Sequence, residues 1–516
     1  MMPNQSGDIL FQLIRSMEKS EKRNFKLYIQ RNSTNKELKI IQLFDAIDKL
    51  SDYDEGALLK KLNSIEKPQL SNLKTHLYKQ ILASLRIIKS SDGIELMLNE
   101  QLDYARILYN KGLYHQALKI LEKVKELSID SHQLSFLSQA LSFEKKIESL
   151  YITRSIQNRA ETLTSESLHL HQQRIEITAF SNLALQMYSW YVKNGHARNI
   201  EEETEVKNFF FSLLPKDFDK KNGFYERLYM YQAFCWYAYI RQDFLMYYRY
   251  TQKWVDLFGE YQNMVAVETM HFIKGMHNLM NALFDVRHYE KLSQTLLVFE
   301  AHFESRVIQQ HQNTTIQAFI YLTNARLNKH IISGDFKRAQ SYLPEIENKL
   351  TEYKLYIDVH RVLVINYKIA MIYFGSADYN TCIDYLHKII HHPVDLREDL
   401  QCYARLLHLI AHYELGNYDI IDYLTKSVYR FMAKMKRYSI IEEEMIKFLR
   451  KSFHTDKKEL KMQFKTLLEK LRRFERQQFE TRTFAYLDII SWLESKVDQK
   501  PMELIIKQKY LASKRQ

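Results

Sequence analysis

The sequence predicts an all-α protein in which antiparallel helix hairpins stack side by side as a solenoid. Three observations carry that expectation. Turn residues are scarce: there are eleven glycines and six prolines in 516 residues, about 3% where ordinary usage is roughly 12%. A β-sandwich, barrel or propeller needs turn residues about every 8–12 positions and cannot be assembled from so few. Apolar residues make up 46% of the chain and charged residues 26%, which suits a packed core and excludes disorder as the main state. Finally, the apolar residues recur at helical spacing, as at Ala117, Ile120, Leu121, Val124 and Leu127, a pattern that gives a helix one buried face.

Along the chain, residues 1–92 read as an N-terminal helical domain. Leu70, Leu73, Leu77, Ile81, Leu85 and Ile88 form one apolar stripe on a long helix that starts near Pro68, a favourable first-turn residue. Ser90-Ser91-Asp92-Gly93 marks its end and the first boundary. Residues 93–430 carry the solenoid. Gly112 separates two helical stretches, with Tyr114 two positions after it and Ala117 three further on. Gly334-Asp335-Phe336 repeats that turn, as do, with changes, Ala377-Asp378-Tyr379 and Gly416-Asn417-Tyr418; Arg287-His288-Tyr289 and Gln242-Asp243-Phe244 are weaker copies. The aromatics Phe244, Tyr289, Phe336, Tyr379 and Tyr418 stand 45, 47, 43 and 39 residues apart. A near-regular period in this range marks stacked units, each hiding its apolar face on the next. Residues 431–516 read as a basic C-terminal helical cap.

The Gly-x-aromatic-x-x-Ala turn, nearly intact at Gly112/Tyr114/Ala117 and Gly334/Phe336/Ala339, resembles that of tetratricopeptide-type (TPR-like) repeats over residues 95–430. That resemblance implies a right-handed superhelix with the first helix of each hairpin lining a concave groove. The chain departs from the family in three ways: its spacing exceeds 34 residues, the closing proline is mostly missing, with Pro393 the best candidate, and Cys382 and Ile421 replace the small alanine. The opening and late segments are also similar to those of bacterial cytoplasmic repeat proteins with no assigned activity.

Composition excludes several chemistries. The glycines are too dispersed for a dinucleotide fingerprint, a phosphate-binding loop or a nucleophile elbow. An enzyme is not expected, nor a cofactor. The three cysteines Cys235, Cys382 and Cys402 have no regular spacing, which fits a reducing compartment. With no secretory signal in the first twenty residues, and Ala233–Ile240 the longest apolar patch, the expectation is a cytoplasmic protein without membrane insertion. His387/His391 and His408/His412 each sit four residues apart on a helix face, a spacing that can hold a metal, but no further ligand completes either pair and no site is assigned.

Aligning the hairpins on their turns predicts a partner-binding groove: Tyr229, Gln232, Trp236 and Tyr239, then His277, Asn281 and Phe284, then Tyr321, Asn324 and Asn328, then Tyr367, Phe374, Tyr403 and Tyr413. Tyrosine and asparagine offer amphipathic area and amide pairing for an extended peptide, so a protein or peptide is the expected partner. The stripe carries no lysine. Part of it can equally be core between hairpins.

Charge offers an alternative. The net charge is +12, with both ends basic and the long middle mildly acidic. Lys458, Lys461, Lys465, Arg472 and Arg476 line one face of a C-terminal helix and could follow a phosphate backbone, or merely solvate a cap. A DNA-reading helix over Gln69–Leu85, with Lys74, His76 and Lys79, would make the protein a regulator contacting nucleic acid.

Overall fold

The computed structural model describes residues 8–30, 35–62, 67–89, 92–150, 158–392, 398–434, 440–452, 457–475, 477, 479, 484 and 487–513. Every secondary-structure element among them is a helix. The chain forms two compact units, Met1–Arg174 and Ile175–Gln516.

In the first unit, helices α1 (Ile9–Ser16), α2 (Lys19–Gln30), α3 (Asn35–Asp48), α4 (Glu55–Lys61) and α5 (Lys67–Ile88) enclose a core built on Ile14, Phe25, Phe44, Leu77 and Ile81. Asp8 caps α1, its carboxylate accepting the Leu10 and Phe11 N–H groups at 3.0 and 3.1 Å. A separate core, built on Leu98, Ala105, Ala117, Leu121 and Ile147, lies among α6 (Ile94–Asn110), α7 (Tyr114–Asp130) and α8 (Leu134–Glu148). Ser90 and Ser91, where the first boundary is expected, lie outside the described residues. The unit boundary falls inside α9 (Arg159–Asn194).

The second unit continues with α10 (Ile200–Leu213), α11 (Phe224–Ile240), α12 (Phe244–Glu260), α13 (Met264–Val267), α14 (Thr269–Asp285), α15 (Tyr289–Phe303), α16 (Arg306–Gln309) and α17 (Gln312–Ser333). Then come α18 (Phe336–Gln340), α19 (Leu343–Glu352), α20 (Val359–Gly375), α21 (Tyr379–Ile390), α22 (Glu398–Glu414) and α23 (Tyr418–Lys434). Helices paired across short turns pack together, as α11 does with α12 and α20 with α21; α14, α17, α20 and α22 also pack in succession.

The six turns singled out above share one closure. Gly112, Gln242, Arg287, Gly334, Ala377 and Gly416 all take positive φ, between 54° and 74°. The next residue's N–H then reaches back five positions, as in Asp243 to Ala238 O (2.9 Å), Asp335 to His330 O (3.2 Å) and Asp378 to Tyr373 O (2.9 Å). This is the Schellman closure, which satisfies carbonyls left over at a helix end. Each marker aromatic is the first residue of the helix that follows. His132 and Gln499 close their helices in the same way, without a glycine to announce it.

A left-handed residue with a Cβ costs about 1–2 kcal/mol, of which glycine's greater freedom in the unfolded chain returns about 0.4–1 kcal/mol. Ala377→Gly is therefore expected to stabilise the second unit by roughly 0.5–1 kcal/mol in denaturant titration. A loss of stability would show that the Ala377 methyl contributes more than its backbone costs.

The C-terminal helices α24 (Ile440–Ser452), α25 (Lys457–Arg472), α26 (Ile489–Asp498) and α27 (Met502–Ser513) share the core of the helices before them, through Met432, Met445, Leu449, Phe464 and Trp492. Trp492 Nε1 donates to Glu414 at 2.7 Å and Lys496 pairs with the same carboxylate. The last helix, α27, packs on α17, and Tyr510 meets Tyr289 edge-on at 5.0 Å. Gly334 sits under it so closely that a Cβ there would lie 2.9 Å from the Glu503 carbonyl oxygen.

Candidate binding cavity

A cavity of about 460 Å³ opens among the end of α9, the residues that follow it, and α11, α12, α14, α17, α20 and α22. Of the stripe derived above, Gln232, Trp236, Tyr239, His277, Asn281, Phe284, Tyr321, Asn324, Asn328 and Tyr367 line it. Tyr229, Phe374, Tyr403 and Tyr413 lie outside it. Tyr229 stacks on Tyr225 and meets His271 edge-on. Tyr403 and Tyr413 are buried, and Tyr413 is covered by Phe464 and Trp492 because the C-terminal helices return over α22. Within the cavity wall, Asn328 and Tyr367 are essentially inaccessible, so at these positions the stripe is core as much as surface.

The floor is a chain of amides. Asn281 Oδ1 accepts from Asn324 Nδ2 at 3.0 Å and Asn328 Nδ2 at 3.5 Å, and its own Nδ2 donates to His277 Nε2 at 3.0 Å. Lys368 Nζ donates to Asn328 Oδ1. This order leaves the proton of a neutral His277 on Nδ1. Burial, with Arg361, Lys368 and Lys274 adding to it, pushes the His277 pKa down to about 3, so the ring is neutral. It stacks on Tyr321 with centroids 4.0 Å apart and planes 13° apart. Arg361 lies over the same tyrosine, 5.1 Å from the ring centroid, and donates to its hydroxyl at 3.2 Å and to Gln317.

The sequence reading missed the cations. Lys274 stands one turn before His277, Lys368 beside Tyr367, and Arg361 near the start of α20; all three line the cavity, against a single carboxylic acid, Asp285. Burial pushes Asp285 up to about 7, opposed by Lys368. A signal was present: Lys274 and Lys368 interrupt otherwise apolar helical runs, FIKGM and NYKIAM, where a lysine needs a reason.

The two histidine pairs, separate in sequence, meet in space. His387 Nε2 and His408 Nε2 are 3.0 Å apart, and His408 Nε2 and His412 Nε2 are 3.2 Å apart. The rings are one another's hydrogen-bond partners, and among the described residues no group of three or more His, Cys, Asp or Glu is disposed to hold a metal. Burial first, then the neighbouring rings, pushes His408 down to about 3.

The basic stripe is broken up. Arg472 is paired with Glu494 at 2.6 Å. Lys461 and Lys465 are exposed, while Arg476 and the side chain of Lys458 lie outside what the structure describes. In the candidate DNA-reading helix, Lys74 is held by Asp8 and Tyr53. The three cysteines are buried, and none forms a disulfide among the described residues. No helix among the described residues is long and apolar enough to cross a membrane.

No protein-family model, curated protein or solved structure matches the chain.

Proposed function

We propose that the second unit is a non-catalytic binding scaffold, a TPR-like solenoid holding a protein or extended peptide along the face made by α11, α14, α17 and α20. One observation carries this reading: ten side chains chosen by aligning turns converge on one cavity. Aromatic edges and amides dominate its wall, groups that suit an extended backbone. A pre-formed solenoid also holds contacts without an ordering cost at binding. The nucleic-acid alternative draws less support, because Arg472 and Lys74 are already paired within the protein.

The test is capture from nuclease-treated native lysate by the full chain, at low and moderate salt, with Trp236→Ala and Tyr321→Ala beside the wild type. A salt-tolerant partner lost at least tenfold with both variants is the expected result. A partner that disappears with nuclease or moderate salt, and survives both substitutions, would transfer the function to the basic helices.

A further inference from the structure

Inside the groove, the cavity has a chemistry that an uncharged peptide backbone would not require. Lys274 has no hydrogen-bond or ion-pair partner among the described residues, and its pKa is lowered by burial and then by Arg361. Among the described residues the hydrogen-bond partners of the Arg361 guanidinium are neutral: the Gln317 amide and the Tyr321 hydroxyl. Both cations disfavour a charge on His277, and Arg361 does the same to Lys274; the carboxylic acid in the cavity lining is Asp285. Burying two like charges together is costly unless something compensates them. The wall also holds buried polar atoms that lack a hydrogen-bond partner among the described residues: His196 Nε2, Gln242 Oε1, Trp254 Nε1, His277 Nδ1 and Asn324 Oδ1. His196, Gln242, Trp254 and Asn324 are each more than nine-tenths buried. Native interiors satisfy nearly all such atoms, so their gathering around one cavity points to a ligand. The lining also holds an aromatic cluster in which Trp236 meets Tyr188, Tyr191 and Tyr239, and Tyr191 meets Tyr239.

We propose that this cavity binds a small organic anion, a carboxylate or phosphate ester with an apolar or aromatic body, whose charge is held by Lys274 and Arg361. Its volume of about 460 Å³ falls among small-molecule sites, which span roughly 300–1,000 Å³. The proposal goes beyond the scaffold reading and does not depend on it: the protein would be a receptor whose groove senses a small molecule. The same anionic group could arrive on an acidic peptide, and the experiment separates the two.

The test uses purified full-length protein, titrated calorimetrically with phenyl phosphate, phenol and a tetraglutamate peptide. Saturable binding of phenyl phosphate, with phenol at least tenfold weaker, is expected. Lys274→Met should weaken that binding at least tenfold while leaving the melting temperature of the free protein equal or higher, because it removes a half-buried charge that has no ion-pair partner among the described residues. Arg361→Gln should weaken binding comparably, and Lys461→Gln, on the exposed stripe, should leave it unchanged. No phenyl phosphate binding at millimolar concentration would overturn the proposal. So would equal affinity for phenol, a Lys274→Met protein that melts several degrees lower, or binding of tetraglutamate alone. Binding of phenyl phosphate in a protein that captures no macromolecule would uphold this site and remove the scaffold reading instead.

Discussion

Phe336→Ala is expected to cost the second unit about 3–5 kcal/mol, the range for deleting a buried aromatic ring. Phe336 is 1% exposed, and its ring packs against Gly375, the last residue of α20. A Cβ built on Gly375 would lie 2.3 Å from Phe336 Cζ and 2.4 Å from Cε2, far inside van der Waals contact. Gly375→Ala should therefore cost about 1–3 kcal/mol by overpacking, although alanine is the better helix former by about 1 kcal/mol. The two changes cannot be additive. Once the ring is gone the new methyl has space, and Gly375→Ala made in the Phe336→Ala background should be neutral or stabilising. Equilibrium denaturation of the two single variants and the double variant measures the coupling. Additive losses would mean that the ring and the glycine do not meet.

Acid should unfold the second unit well before carboxylate chemistry alone would. Burial pushes His271 down to about 4, and His277 and His408 to about 3; His302, His330 and His412 are lowered for the same first reason. Each folded ring resists a proton that the unfolded chain accepts near pH 6.5. Stability is thus complete above that pH, and falls by about 1.4 kcal/mol per histidine per pH unit until the folded pKa is reached. Asp285 opposes this. Held up to about 7, it stays protonated in the folded state where the unfolded chain ionises, so it contributes stability as pH falls from about 7 toward 4. Three losses against one gain leave a slope of about 3 kcal/mol per pH unit between roughly pH 6.5 and 4. Over that interval the loss is about 7 kcal/mol, enough to unfold a protein in the lower part of the usual 5–15 kcal/mol range. Melting temperatures at pH 7.5, 6 and 5 should fall steeply, and His408→Gln should remove about one proton from the slope. A flat profile from pH 7 to 5 would contradict the burial of these rings.

The glycine turns, the helical spacing of Leu, Ile and Val, and the absence of strand punctuation made the helical class legible, because these are local properties of the backbone and of one helix face. The same locality explains why Gln242, Arg287 and Ala377 could be aligned with true glycines: the aromatic that follows each one begins the next helix, whatever residue takes the left-handed turn. His132 and Gln499 escaped notice because neither glycine nor aromatic accompanies them. The cavity lining was half legible. Aligning turns brought His277, Asn281, Tyr321, Asn324 and Asn328 together, since residues at like positions of successive first helices face the same way.

What the sequence alone determined is the all-helical class and the position of the turns it marked, both set by side chains within a few residues of one another. The tertiary structure decided the rest. Only packing could place Lys274 and Arg361, 87 positions apart in number, beside one histidine, join two distant histidine pairs, or bring Trp492 onto Glu414 and so bury Tyr413. Those pairings depend on how far each helix rotates and which helix the chain returns to, and no local period in the sequence encodes either.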